Sequence, residues 1–358
     1  MYNAKQYIFH CVDALLSQSD GDIEVIVVDD CSTDDSYKLC TEKYEGYDNV
    51  SILKQPKNMG PGAARNTGIR EARGEYISFV DSDDAIVDGA FKKMYAVAKE
   101  NSADVVHVGG ALIPFSRTLP DNLFTMTQDE LLPFLLDSEE AVEVTTIPDD
   151  IRIRVDRWLM HSYHWNIWSK LFRREFLIEN DLNFADLSLS EDQNFMFGCL
   201  LHAKTYVKMP GFFYIYRISG ESLSRGRKNT KFMAKLLNTA FSLSAVMDKT
   251  MDGHEFFNDN PEYREKVKAY CLMFLERSYI VDCYGEIPRA DMEADETLNG
   301  IFTANFGSNA GYVAKQFYDA HDAIPLPEGD TPDMNSYEFW EMMVNKFGKG
   351  NVIKLGKG

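Results

Sequence analysis

The sequence lacks any CxxC pair or metal-ligand spacing among its six cysteines (11, 31, 40, 199, 271 and 283), a number ordinary for this length. That pattern gives no basis for a structural zinc site, and reduced thiols are expected. The seven histidines also lack ligand spacing. No apolar run approaches the ~18 residues needed to cross a bilayer, and no secretory leader is visible. Positive charge is scarce too: 37 Lys and Arg stand against 56 Asp and Glu, a formal net charge of −19. Nucleic acid and anionic lipid are thereby poor general partners. An anionic ligand would need a local cation, either a metal or a few placed Arg and Lys. No internal repeat is evident.

What the chain does have is apolar material for a core domain with additions, 45% hydrophobic over 358 residues. Its organising stretch is Glu75-Tyr-Ile-Ser-Phe-Val-Asp81-Ser-Asp83-Asp84. Residues 76–80 have strand-forming character. A strand ending in Asp81-Ser82-Asp83 sets two carboxylates at the lip of a sheet, where open α/β sheets bind ligands. Alternating side chains would point both acids the same way, and such oxygen donors suit Mg²⁺ or Mn²⁺ held together with phosphates. Ser and Asp in such a turn also serve as helix caps, so this signal alone leaves both alternatives open.

The other segments keep one rhythm. Residues 3–18 are expected to form an amphipathic helix. Residues 24–28 read as a buried strand ending in Asp29-Asp30, with Ser32 or Thr33 as cap of a helix to about Tyr44. A short strand at 50–53 follows, then a loop at 57–62 and a helix carrying Ala63-Ala64-Arg65-Asn66. After the 76–80 strand come a helix at about 88–100 and a strand at 104–108. Strand and helix in alternation predict a parallel sheet covered on both faces. Such a domain opens on a strand, whereas this chain opens on a helix, so a strand upstream of Tyr2 is expected to be missing. Residues 116–157 read as an insertion or lid with a helix at 128–136. Residues 163–176 are aromatic and basic, Glu191-Asp192 head a helix, and 212–217 are strand-like. From 228 onward, helices are expected at 229–250, 261–284, 310–320 and 336–347, and residues 348–358 as a frayed tail.

These pieces in order resemble the inverting glycosyltransferases of family 2, which have the GT-A fold. The resemblance rests on Val28-Asp29-Asp30-x-Ser-Thr-Asp34, on Asn58-x-Gly60-x-x-x-Ala64-Arg65-Asn66 and on Phe79-Val-Asp81-Ser-Asp83-Asp84. It continues through Trp168-Ser-Lys170-Leu-Phe, Glu191-Asp192-x-x-Phe195 and Tyr214-x-Tyr216-Arg217 with Ser222. Tyr2-Asn3-Ala4 looks like the second half of the segment in which the family's first strand ends. The resemblance covers roughly residues 2–225.

It implies a fold and a chemistry. The fold is an α/β, GT-A, Rossmann-like and mostly parallel sheet lacking its first strand, followed by a helical C-terminal region. The expected divisions are a nucleotide-sugar-binding domain (1–112), an acceptor-side part (113–225) and the helical region (226–358). Asp30 corresponds to the contact to the nucleotide base, and Arg65 to a basic residue near the nucleotide. Asp83 matches the direct metal ligand, with Asp81 as its pair and Ser82 between them. Asp192 matches the general base, with Glu191 beside it. Tyr2, Lys170, Arg217 and Ser222 fall in donor or acceptor motifs. The implied cofactor is Mn²⁺ or Mg²⁺, the donor a UDP-sugar, and the acceptor a carbohydrate or polyol in surface-polysaccharide synthesis. A cytoplasmic protein is expected, with association at the inner membrane face and oligomerisation through the C-terminal helices left open.

Structural alternatives stand beside each role. Asp30 could be a helix cap, Arg65 a solvated surface residue, and Glu191-Asp192 first-turn acids that complement a helix dipole. Trp165 and Trp168 suit core packing. Two other functions fit part of the pattern: a catalytically silent nucleotide-sugar-binding protein, and a phosphoacceptor receiver module. The Ala-Arg-Asn helix, the doubled Asp81/Asp83 and the second acidic motif count against the receiver.

Overall fold

The computed structural model describes residues 1–18, 22–112, 143–160, 165–215, 228–275, 280–307 and 310–323. The helices expected at 128–136 and 336–347, the tail, and Arg217 and Ser222 lie outside the described residues. The chain divides into two compact units. The first is Met1–Asp150, His164–Asp186 and Phe195–Ser219; the second is Ile151–Tyr163, Leu187–Asn194 and Gly220–Gly358.

In the first unit, β1 (Val25–Asp29) pairs in parallel with β2 (Val50–Lys54), from Val25 opposite Val50 to Asp29 opposite Lys54. Its valines are buried, as a strand covered on both faces requires. On the other edge of β1, the Met1 amino group donates to the Val28 carbonyl and Asp30 N–H donates to the Met1 carbonyl, both at 2.8 Å. This is the hydrogen-bond pattern of a parallel ladder. Helices α1 (Ile8–Leu16) and α2 (Ser36–Lys43) contribute Ile8, Val12 and Cys40 to a cluster with Val25, Val27 and Tyr44.

A six-stranded sheet completes this unit. Its order is β3 (Tyr76–Ile77), β7 (Lys170–Arg173), β5 (Val105–Leu112), β8 (Tyr206–Ile215) and β4 (Ala85–Ile86), with β6 (Thr145–Ile147) also paired to β8. Helix α3 (Pro61–Glu71) leads into β3, and α4 (Ala90–Asn101) contributes Ala90, Met94 and Ala98 to the core beside Val106 and Val207. The Glu24 carboxylate ties the start of β1 to the approach to β3, accepting from the N–H groups of Arg73 (2.6 Å) and Gly74 (2.7 Å).

Several boundaries differ from the sequence expectations, each for a local reason. Helix α1 starts at Ile8, not at residue 3: Asn3 has φ +50°, outside the helical region, and the chain enters the helix through a turn in which the Tyr7 and Ile8 N–H groups both donate to the Ala4 carbonyl. Neither Ser32 nor Thr33 caps α2; the Asp34 carboxylate takes the Ser36 N–H instead. β3 is two residues long, its ladder with β7 ending at Ile77 opposite Phe172. Residues 81–84 form a turn closed by Asp84 N–H to the Asp81 carbonyl, 3.1 Å, so Asp81 and Asp83 do not alternate as on a strand. The pairing is mixed: β1–β2 and β5–β8 are parallel, and the other ladders among the described residues are antiparallel. The expectation of a mostly parallel sheet rests on the alternation of strands and helices up to residue 108, which says nothing of how β4, β6 and β7 pair.

The second unit is helical. Helix α5 (Ile151–Leu159) places Trp158 beside Tyr270 of α10 (Pro261–Leu275), ring centroids 6.2 Å apart. Glu191–Asn194, the first turn of α7 (Glu191–His202), also belongs here; α6 (Arg174–Glu179) lies in the first unit. Helix α8 (Thr230–Thr250) is capped by the Asn229 side chain, which accepts from Phe232 N–H at 2.8 Å. Arg264 of α10 clamps Asp248 on α8 at 2.6 Å. The short α9 (Glu255–Asp259) precedes α10, and α11 (Val281–Glu286) and α12 (Arg289–Ala294) follow it. Helix α13 (Glu296–Phe306), absent from the sequence expectations, is capped by Asp295 and packs with α14 (Ala310–Ala323) through Phe302 and Phe317. Among the described residues no helix is long and apolar enough to cross a membrane.

Candidate functional site

The site is built where β1 and β3 end in the first unit. Asp30, just past β1, is 4% exposed, and its two carboxylate oxygens accept from the N–H groups of Met59 (2.9 Å) and Gly60 (2.8 Å). It thereby fixes the Asn58–Gly60 loop that opens α3; Gly60 itself has φ +87°, a conformation that favours glycine. The next residue, Cys31, has φ +60°, and non-glycine residues hold such conformations where surrounding contacts over-determine them. Asn3 supplies part of that determination: its side-chain oxygen accepts from the N–H groups of Thr33 (2.8 Å) and Asp34 (3.3 Å). Tyr2 is exposed.

Helix α3 delivers Arg65 to the turn after β3. The guanidinium bonds the Asp81 carboxylate at 3.0 Å and lies over the Phe184 ring at 5.4 Å. Asp81 keeps 37% of its side chain exposed, while Arg65 keeps 17%. The neighbouring Asn66 holds the Phe184 backbone twice, donating to its carbonyl and accepting from its N–H, both at 2.8 Å. Phe184 in turn stacks on Phe195 at 4.1 Å, and Phe79 of the β3 segment meets both rings. An aromatic cluster therefore backs the Arg65–Asp81 pair.

Ser82 and Asp83 are half-buried, and Asp84 is buried. Tyr214 of β8 bridges the turn: its hydroxyl accepts from Asp81 N–H (3.1 Å) and donates to the Asp84 carboxylate (2.6 Å). Burial, with the charges of Asp84 and Asp81, pushes the Tyr214 pKa well up, so the hydroxyl stays a donor. Lys170 of β7 is fully buried, its ammonium donating to the Asn166 carbonyl and side-chain oxygen.

In the second unit, Glu191 and Asp192 open α7 behind Ser190, which has φ +64°. Glu191 is buried; Asp192 is half-buried and accepts from Gln193 N–H at 3.0 Å. Carboxylates in the first turn of a helix are favoured by its dipole.

Among the described residues no group of three or more His, Cys, Asp and Glu is arranged to hold a metal. The Asp81–Asp83 turn offers two hard-oxygen carboxylates, with Asp81 partly exposed beside Arg65. Such a pair fits a divalent ion that completes its shell with phosphate oxygens and water.

Residues 1–177, about half of the chain, match the model of the family described as Glycosyl transferase family 2. That segment of the chain belongs to the family. Its curated relatives include the Bacillus subtilis glycosyltransferase EpsJ, 30% identical over 63% of this chain and 61% of that protein. Another is a poly(ribitol-phosphate) beta-glucosyltransferase of Bacillus spizizenii, 33% identical over 63% of this chain and 32% of that protein. The chain thus spans less than two thirds of these relatives. Among solved structures, S. aureus TarS 1–349 superposes with a TM-score of 0.53 at 20% identity, covering 97% of this chain and 89% of that one. The same TarS fragment in complex with UDP-GlcNAc gives 0.51 at 20% identity, over 97% and 90%. These likenesses show the GT-A fold. The family 2 match begins at residue 1 and takes in Asp30, Arg65, Asp81, Asp83 and Lys170; Asp192 and Tyr214 lie beyond it.

The sequence brought Arg65 and Asp81 forward separately, and the structure joins them. It gave no roles to Asn3, Asn66 or Tyr214. Only Tyr214 carried a local signal: a tyrosine in a buried strand needs a partner for its hydroxyl.

Proposed function

We propose that this chain is a metal-dependent, inverting glycosyltransferase that moves a sugar from a UDP-linked donor to a carbohydrate or polyol hydroxyl in surface-polysaccharide synthesis. The observation that carries the proposal is the half-exposed Asp81, ion-paired to Arg65 and sharing one tight turn with Asp83, within the segment that matches family 2. In it, residues 1–112 bind the nucleotide sugar, 113–225 face the acceptor, and 226–358 form a helical accessory region. Asp83 and Asp81 hold Mn²⁺ or Mg²⁺, which when bound supplies positive charge to the departing diphosphate. Arg65 adds a fixed cation beside the same carboxylate. Asp30 sets the loop at the nucleotide end, with Tyr2, Ser82, Arg217 and Ser222 at donor or acceptor. Lys170, expected there from its motif, is fully buried with its ammonium on Asn166 and acts as an internal support instead. Asp192 takes the proton from the acceptor hydroxyl as its oxygen bonds the anomeric carbon opposite the leaving nucleoside diphosphate, with Glu191 beside it. The named relative acting on poly(ribitol phosphate) supports a polyol acceptor, and the UDP-GlcNAc complex of TarS supports a UDP-linked donor.

Calorimetric titration of UDP with Mn²⁺, and again after chelation, tests the donor half. Binding that requires the ion in the wild type and is lost in Asp83→Ala is expected. Equal binding with and without metal refutes the metal role, and no binding under either condition refutes the donor assignment. UDP release from UDP-GlcNAc or UDP-glucose in the presence of poly(ribitol phosphate) then tests the acceptor.

A further inference from the structure

We infer that Tyr214 is a positioning residue that sets the geometry of the Asp81–Asp84 turn for metal and donor, an inference that rests on the donor-site proposal above. The turn carries three linked hydrogen bonds. Asp84 N–H donates to the Asp81 carbonyl at 3.1 Å, Asp81 N–H donates to the Tyr214 hydroxyl at 3.1 Å, and that hydroxyl donates to Asp84 Oδ2 at 2.6 Å. One phenol oxygen therefore holds the first residue of the turn through its backbone and the last through its side chain. It acts on both sides of Ser82 and Asp83 without occupying either of their carboxyl or hydroxyl groups.

The tyrosine is itself fixed. Its ring stacks on Trp168 with centroids 4.4 Å apart and planes 23° from parallel, and the residue is 1% exposed. The strand that carries it is pinned to the residues just after the turn: Ile86 lies opposite Tyr214, Ala85 opposite Ile215, and Val87 N–H donates to the Phe213 carbonyl at 3.0 Å. Backbone and side chain of β8 thus grip the same turn, from a position 130 residues away in sequence. Asp84, which the doubled acidic motif would offer as a third metal ligand, is 2% exposed and committed to this hydrogen bond. That leaves Asp81 and Asp83, both half-buried, as the more accessible carboxylates of the turn.

Tyr214→Phe removes the hydroxyl and keeps the ring on Trp168. Two readouts on the full chain test the inference. Amide hydrogen exchange of a peptide covering 79–86, without ligand, should speed up by about tenfold in the variant, the loss expected for one or two hydrogen bonds. The Mn²⁺ concentration giving half-maximal UDP binding should rise by a similar factor, with binding recovered at saturating metal; a general loss of folding would not be repaired in that way. A cooperative melt of the variant verifies that it folds. Unchanged exchange in 79–86 overturns the inference whether or not UDP binds. Faster exchange with an unchanged Mn²⁺ midpoint overturns it too, making Tyr214 a structural brace. Faster exchange in a protein whose wild type binds no UDP refutes the donor assignment, and the positioning role falls with it.

Discussion

Asp30→Asn separates a nucleotide contact from a structural duty at the same side chain. The carboxylate is 4% exposed and receives the Met59 and Gly60 N–H groups, one on each oxygen, at 2.9 and 2.8 Å. An asparagine matches its shape but has one oxygen to accept with, and its NH₂ then faces a backbone N–H. One charge-assisted hydrogen bond is lost and the other becomes neutral, which costs about 2–4 kcal/mol when a buried donor is left unpaired. For a unit of this size the thermal midpoint should fall by on the order of 5–15 °C. The assay is a melt followed by near-UV circular dichroism, with UDP titration well below the transition. A lowered midpoint with UDP affinity retained assigns Asp30 to holding the Asn58–Gly60 loop. Affinity lost more than tenfold in the folded variant adds the nucleotide contact. A midpoint within about 1 °C of wild type would refute the reasoning, because two such bonds to a buried carboxylate cannot be lost without cost.

Two further outcomes are expected. Asp192→Asn should abolish sugar transfer while leaving UDP affinity within about twofold, and full turnover in a transfer assay would remove Asp192 as the base. Glu24 provides a pH test: burial opposes its charge, but the N–H groups of Arg73 and Gly74 and the Arg73 guanidinium outweigh that and hold its pKa below the usual carboxylate range. A lowered folded pKa gives stability that is present above the unfolded value of about 4.3 and lost as pH falls through the folded one. Glu24→Gln should therefore be less stable than wild type by about 1–2 kcal/mol near pH 7. The gap should close as pH falls below about 4, and denaturant titrations at pH 7 and 3.5 that show an equal gap would exclude the charge as its source.

The sequence by itself determined the family, the acidic end of β1 and most helix positions. Each of those rests on residues close together in the chain. The second acidic segment is a turn beyond β3 rather than a strand end. Val25–Val28 read as a buried strand because both of its faces are covered, and the Arg65-Asn66 motif sits on a helix whose loop is marked by Gly60 and Pro61. Tertiary structure alone decided partners across long separations. Asn66 meets Phe184 from 118 residues away, and Tyr214 meets Asp84 from 130. Neither separation leaves a periodic trace, since the choice is made by which backbone groups lack partners once the sheets form. The same holds for strand length and helix ends. Residues 76–80 have the composition of a full strand, yet the β7 ladder stops at Ile77, and Asn3, held at φ +50°, cannot begin the helix expected from residue 3. Local composition says what a segment can form; the neighbours that satisfy its hydrogen bonds decide where it stops.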